Sequence, residues 1–254
     1  MKWNNDVFKR YMEAGLAVLI VLTLGLAGAA GVLSPRAAES EQTEAAAGDD
    51  STNASQENEN KDSVTNPDMA EAQETIADGQ YPIMGSSDIT VQEMVDYFNA
   101  SGEVYPAEEL SEGGADSIET FCQMYYDEAT AEGVRPEVAF AQTMKETGFL
   151  QYGGDASIEQ FNFAGLGTTG NGVPGNSYPD VQTGIRAQIQ HLKAYATSDS
   201  LNQECVDDRY EYVKKGSAPY VQWLGQQENP EGLGWATGDN YGYDIVGMIE
   251  EMTE

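Results

Sequence analysis

The sequence predicts a mostly helical α+β domain, and three observations support that reading. Apolar residues recur at helical intervals behind capping residues in several segments of the second half of the chain. Between Gln151 and Pro179 that period disappears and glycine takes over, with Gly165, Gly167, Gly170, Gly172 and Gly175, which fits a small β lobe with loops. What remains of the 254 residues after an apolar run and a polar tract is enough for one folded unit of ordinary size.

Residues 14–33 carry no charge. As a helix they would extend about 30 Å, the hydrocarbon thickness of a bilayer. Lys2, Lys9 and Arg10 precede the run and Arg36 alone closely follows it, so the positive-inside rule puts residues 1–13 in the cytoplasm and the rest outside. A cleaved signal peptide is the alternative, with Ala27-Gly-Ala29 as a small-residue cleavage site. Secretory apolar cores run only about 7 to 15 residues, which favours an uncleaved single-pass anchor in the cell membrane. The domain is exported in either case.

Residues 34–80 are dominated by Glu, Asp, Ser, Thr, Asn, Gln and Ala. A tract of this kind cannot bury enough apolar surface to offset its ordering entropy, so a disordered, self-repelling acidic linker is expected. The net charge of −31, from 43 acids against 12 bases, argues against nucleic acid or anionic lipid surfaces as partners, because phosphate would be repelled.

The folded part is expected over residues 81–254. Thr90-Val-Gln-Glu93 has capping-box spacing, and Val91, Met94, Val95 and Phe98 follow on one helical face. Asp116-Ser-Ile-Glu119 offers a second cap, with Ile118, Phe121, Cys122, Tyr125 and Ala129 behind it and a helix running to about Glu132. Gly133-Val-Arg-Pro136 then turns the chain into a further helix, which Gly148 ends. That places Glu146 at a helix C-terminus, where the helix dipole opposes ionisation and Phe149, Leu150 and Tyr152 reduce hydration. Both effects raise a carboxyl pKa, as a proton-donating acid in glycoside hydrolysis requires. After Tyr178-Pro179, Asp180 can cap another helix with Val181, Ile185, Ile189, Leu192 and Ala196 along it, and the chain closes on a helix from Tyr241 to about Ile249.

Ala141-Gln-Thr-Met-Lys-Glu146-Thr-Gly-Phe-Leu-Gln-Tyr-Gly-Gly154, followed by Asn162-Phe-Ala-Gly-Leu-Gly167, resembles the glucosaminidase family of bacterial wall hydrolases, which cut the glycan strands of peptidoglycan. The likeness covers roughly residues 115–254. It implies a lysozyme-like helical fold with a small β lobe, and Glu146 as the catalytic acid. It also implies a second acid a few dozen residues later, for which Asp180 is the candidate, with capping as its alternative role and Asp155 and Glu159 as weaker choices. Trp235-Ala-Thr-Gly-Asp-Asn-Tyr241 resembles the family's closing motif, although Gly238 stands where an acidic residue is usual; the resemblance makes Tyr241 a cleft residue that orients substrate or water. Substrate contacts are expected from Tyr152, Asn162, Phe163, Gly165 and Trp235.

Scarce residues narrow the chemistry further. His191 is the only histidine, whereas zinc amidases and endopeptidases generally need more than one, and it is expected at the surface or half-buried on its helix. No metal or cofactor is required by the glycosidase reading. Cys122 and Cys205, on the exported side, are expected to pair, closing a loop of 83 residues that would contribute about 4 to 5 kcal/mol in the chain-entropy treatment. The expected function is an endo-β-N-acetylglucosaminidase acting on peptidoglycan glycan strands. The alternatives are cleavage after N-acetylmuramic acid, as muramidase or lytic transglycosylase, and a glycan-binding protein without turnover.

Overall fold

The computed structural model of the protein describes residues 79–170 and 172–254. The expected membrane-spanning segment and nearly all of the acidic linker lie outside the described residues; among those described, no helix is long and apolar enough to cross a membrane.

The described part is predominantly helical: α1 (Val91–Ala100), α2 (Ala107–Ser111), α3 (Ile118–Glu132), α4 (Pro136–Thr147), α5 (Val181–Ala196) and α6 (Tyr241–Thr253), with 3₁₀ turns at Ile158–Gln160, Tyr210–Tyr212 and Val221–Leu224. The starts follow the capping chemistry. Thr90 Oγ1 accepts from Glu93 N at 3.2 Å while Glu93 Oε2 accepts from Thr90 N at 2.7 Å, closing a capping box on α1. Ser117, one residue after the expected Asp116, caps α3 by accepting from Thr120 N. Pro136 opens α4, and Asp180 caps α5 through Thr183 N at 2.7 Å.

Helix α3 packs against α1, α4 and α5, while α6 packs against α1, α4 and the Val221–Leu224 turn. Phe121, Tyr125, Phe140, Phe163, Ile185 and Ile245 fill the common core. Two helical glycines permit the closest approaches. A Cβ on Gly184 would collide with the carbonyl oxygen of Phe161, and one on Gly242 with that of Val221, so neither position has room for a side chain. The second matters for the site, since Gly242 sits beside Tyr241.

The chain enters the domain as a strap. Ile83 N donates to Pro219 O at 3.1 Å and Arg135 N donates to Ile83 O at 2.9 Å, which ties residues 81–85 to both the α3–α4 turn and the 219–221 segment. Ile83 is fully buried beneath it.

Two expectations are corrected. Among the described residues between Gln151 and Pro179 there is no strand of a β lobe, and pairing is confined to isolated bridges, one of them Gly170 with Val173. Five glycines between 165 and 175 take positive φ, and so many left-handed steps cannot sustain an extended ladder. Cys122 and Cys205 are free thiols rather than a disulfide. Cys122 is buried on the core face of α3, while Cys205 lies just past a loop whose Asn202 and Gln203 amides bond Glu132 at the far end of that helix. Ten residues of helix rise, about 15 Å, thus separate Cys122 from the end of α3 to which the loop before Cys205 is tied.

Candidate active site

Glu146 lies in the last turn of α4, as its sequence context predicts. The backbone just past it is unusual. Gly148, Phe149 and Leu150 take φ of 57°, 55° and 65° in succession, and Tyr152 adopts 56°. Left-handed conformation costs roughly 1 to 2 kcal/mol per non-glycine residue, so the turn must be held by other contacts. Thr147 supplies them. Its hydroxyl donates to Thr143 O at 2.7 Å and accepts from Leu150 N at 2.9 Å, while its carbonyl accepts from Tyr152 N at 2.7 Å. Phe149 and Leu150 are buried by the turn, with Phe149 packing 5.7 Å from the ring of Tyr97.

Glu146 is partly buried as a residue. Burial strips its water and raises its pKa above the ordinary glutamate value; a hydrogen bond from Tyr241 and the charge of Lys145 oppose that rise without cancelling it. The Tyr241 hydroxyl donates directly to Glu146 Oε1. Tyr241, at the first position of α6 and 1 % exposed, is itself held well above its ordinary pKa, first by burial and then by the facing Glu146 charge, so it stays a donor at any working pH. Lys145 is engaged by Asp244 Oδ2 at 2.8 Å, with its ammonium 5.6 Å from the Tyr241 ring centre.

Behind this pair lies a polar network that sequence reasoning missed. Gln142 Nε2 donates to Tyr241 OH at 3.0 Å, and Gln188 Nε2 donates to Gln142 Oε1 at 2.9 Å and to Ala139 O at 3.0 Å. Gln188 Oε1 accepts from Tyr125 OH at 2.7 Å and from Thr143 Oγ1 at 2.8 Å. All four side chains behind Tyr241 are completely buried. The chain thus joins α3, α4, α5 and α6 beneath the acid. Helix α4 is buried on nearly every side, Glu137, Gln142, Thr143 and Thr147 included, so no solvated face is available to these polar groups and they must bond within the core.

The other expected site residues are distributed differently. Asp180 gives its carboxyl to the cap of α5. Asn162 is buried, donating to Leu166 O and Asn176 O and accepting from Leu166 N at 2.9 Å, so it pins the glycine-rich loop from within instead of facing a ligand. Phe163 is a core residue, edge-on to Phe121 at 5.2 Å. Tyr152 is half-buried with its hydroxyl donating to Asn162 O at 3.3 Å, and Gly165 forms a turn closed by Thr168 N. Trp235 is half-buried and packs edge-on against His191 at 4.8 Å. His191 is more buried than expected, 8 % exposed, with Nδ1 against Asp207 Oδ2 at 2.6 Å. Among the described residues, no cluster of histidine, cysteine and carboxylate side chains could hold a metal ion.

Comparison with known proteins agrees with this geometry in extent. The glucosaminidase family model, described as mannosyl-glycoprotein endo-beta-N-acetylglucosaminidase, matches residues 122–254, which is more than half of the chain and includes Glu146, the network and Tyr241. An uncharacterized protein of Borreliella burgdorferi is 38 % identical over 137 residues, covering 54 % of this chain and 64 % of that protein, so the chain spans less than two thirds of that relative. No solved structure matches the chain.

Proposed function

The chain belongs to the glucosaminidase family, and from that premise we propose that it is a peptidoglycan hydrolase cleaving the β-1,4 bond after N-acetylglucosamine, on a lysozyme-like helical domain. The observation that carries this reading is the Tyr241–Glu146 hydrogen bond at the end of α4. A partly buried carboxyl with a raised pKa holds its proton to higher pH than an ordinary glutamate, and a fixed donor on one oxygen stabilises the negative charge that appears as that proton leaves. Glu146 protonates the glycosidic oxygen while the sugar becomes oxocarbenium-like. Of the groups that could assist the forming cation, Tyr241 and the substrate's own acetamido group are favoured over Asp180, whose carboxyl is committed to capping α5. The half-buried Tyr152 and Trp235, with Gly165, remain as contacts for the glycan.

Digestion of purified peptidoglycan by the full chain, followed by mass analysis of reduced fragments, tests the proposal. New reducing ends should be N-acetylglucosamine, and Glu146→Gln should produce them about 10² to 10⁴ times more slowly. Reducing or anhydro N-acetylmuramic acid would transfer the cut to the other bond. Glycan binding without release of fragments by either protein would leave a binding module. We also propose that residues 14–33 anchor the protein in the cell membrane with the domain outside. Extraction by detergent but not by salt, and digestion by external protease, would support that placement; release by salt alone would oppose it.

A further inference from the structure

We propose that Gln142, held in orientation by Gln188, is a positioning residue that keeps the transferable proton of Glu146 on Oε2. The inference rests on the reading of Glu146 as the general acid, and it comes from donor and acceptor bookkeeping along the buried chain. A backbone carbonyl can only accept, so the contact of Gln188 with Ala139 O must come from its amide nitrogen. The same nitrogen then donates its other proton to Gln142, which turns the carbonyl oxygen of that second amide inward and its nitrogen toward Tyr241. The opposite end of Gln188 agrees, because Oε1 faces the hydroxyls of Tyr125 and Thr143, which also bond each other at 2.6 Å and of which at least one donates to Oε1.

The polarity set at Ala139 therefore reaches the site. Tyr241 oxygen already accepts from Gln142, so its own hydrogen points at Glu146 Oε1. Oε1 receives a proton from the tyrosine and cannot donate one to it. The acid proton is confined to Oε2. Without the Gln142 donor, Tyr241 oxygen would be free to accept, and a protonated Glu146 could turn its hydrogen inward from Oε1. That arrangement stabilises the acid form while holding its proton away from the glycosidic oxygen. Loss of Gln142 should thus slow proton transfer and raise the Glu146 pKa together, a combination that lost packing does not produce. The ionisable groups around the carboxyl are Tyr241 and Lys145, with Asp244 behind Lys145; substitution of Gln142 or Gln188 alters none of them.

The test is the pH dependence of kcat and KM on peptidoglycan for the full chain, compared with Gln142→Met, Gln188→Met and, as a control, Gln190→Met. Gln190 is an equally buried glutamine of α5 that donates to Glu204 O and Glu132 Oε1 and accepts from the amides of Val206 and Asp207, away from Glu146. Methionine keeps the side-chain length and removes the directional donor. In the first two variants kcat should fall about tenfold, the kinetic equivalent of one hydrogen bond, with KM held and the alkaline limb moved to higher pH. Gln190→Met should lose stability only. An alkaline limb left in place in both network variants, with kcat falling no further than in the control, overturns the proposal. A ¹³C titration of the Glu146 carboxyl, assigned by its absence in Glu146→Gln, reads the wiring without turnover. An upward shift in the network variants of a protein that cleaves no glycan would uphold the wiring and sink the functional reading. No shift in an active enzyme would do the reverse, and Gln188→Met decides the matter should Gln142→Met fail to fold.

Discussion

Tyr241→Phe removes one oxygen from the centre of the site and leaves the ring in place. Two partners lose by it: Glu146 Oε1 loses its donor, and Gln142 Nε2 is left facing a ring edge in a fully buried position. A buried donor without an acceptor costs about 1 to 3 kcal/mol. For a folded unit of this size, that is a fall in Tm of roughly 2 to 12 °C. The kinetic effect has a separate origin. As the proton leaves Glu146 the carboxyl becomes an anion, and a hydrogen bond to a charged group contributes about 1.5 to 3 kcal/mol, so kcat should drop roughly 10- to 150-fold. The pH profile should move in a direction that instability cannot mimic. The Tyr241 bond favours the ionised carboxyl and works against the dominant effect of burial. Its removal raises the Glu146 pKa further, so the alkaline limb of kcat/KM shifts upward while the maximum falls. Steady-state assays across pH on peptidoglycan, at a temperature where the variant is fully folded, separate these effects. A variant with kcat within about twofold of the parent and an unmoved limb would refute the assignment of Tyr241 as the partner of the acid.

The same geometry sets three further outcomes. Glu146→Gln should reduce turnover by about 10² to 10⁴, and its stability should cross the parent's with pH. A carboxyl whose folded pKa is raised contributes stability below its unfolded pKa and loses that contribution as pH rises through the folded value, so the variant should have the higher Tm on the alkaline side of that transition and lose the advantage in acid, by calorimetry. Asp180→Asn should keep the α5 cap and kcat, and Asp180→Ala should cost about 1 kcal/mol of stability by denaturant titration; a collapse of kcat in the asparagine variant would restore Asp180 to the reaction. Thiol labelling of the native chain should modify Cys205 alone, because burial raises the Cys122 thiol far above its ordinary pKa, and Tm should be the same with and without reductant.

Local chemistry was legible where it is written in adjacent residues. Thr90, Pro136, Gly148 and Asp180 occupy the capping positions their types suggest, and Glu146 ends its helix as expected. Properties that depend on distant segments were not legible in the same way. Asn162 looked like a ligand-facing residue of the family motif, yet its amide is consumed by Leu166 and Asn176, because a glycine-rich loop without strands needs an internal side chain to satisfy its backbone. An exported compartment favours a disulfide, but pairing depends on where a long loop returns, and the loop returns to Glu132. Gln142 and Gln188 are 46 residues apart on different helices, and nothing in either local sequence announces the partner.

The site is assembled from features that each work against stability. A raised carboxyl, a run of left-handed residues after it and a buried amide chain beneath it would all be better replaced by apolar side chains and right-handed backbone if folding were the sole demand. They are placed where the rest of the core can hold them. Thr147 binds the strained turn on both sides, α3 and α5 enclose the glutamines, and Gly242 lets the start of α6 approach the Val221 carbonyl so that Tyr241 reaches Glu146. These costs converge on a single carboxyl oxygen. A network serving only to fill the core would have no reason to end at a partly buried acid, whereas one that fixes the direction of a proton must end there.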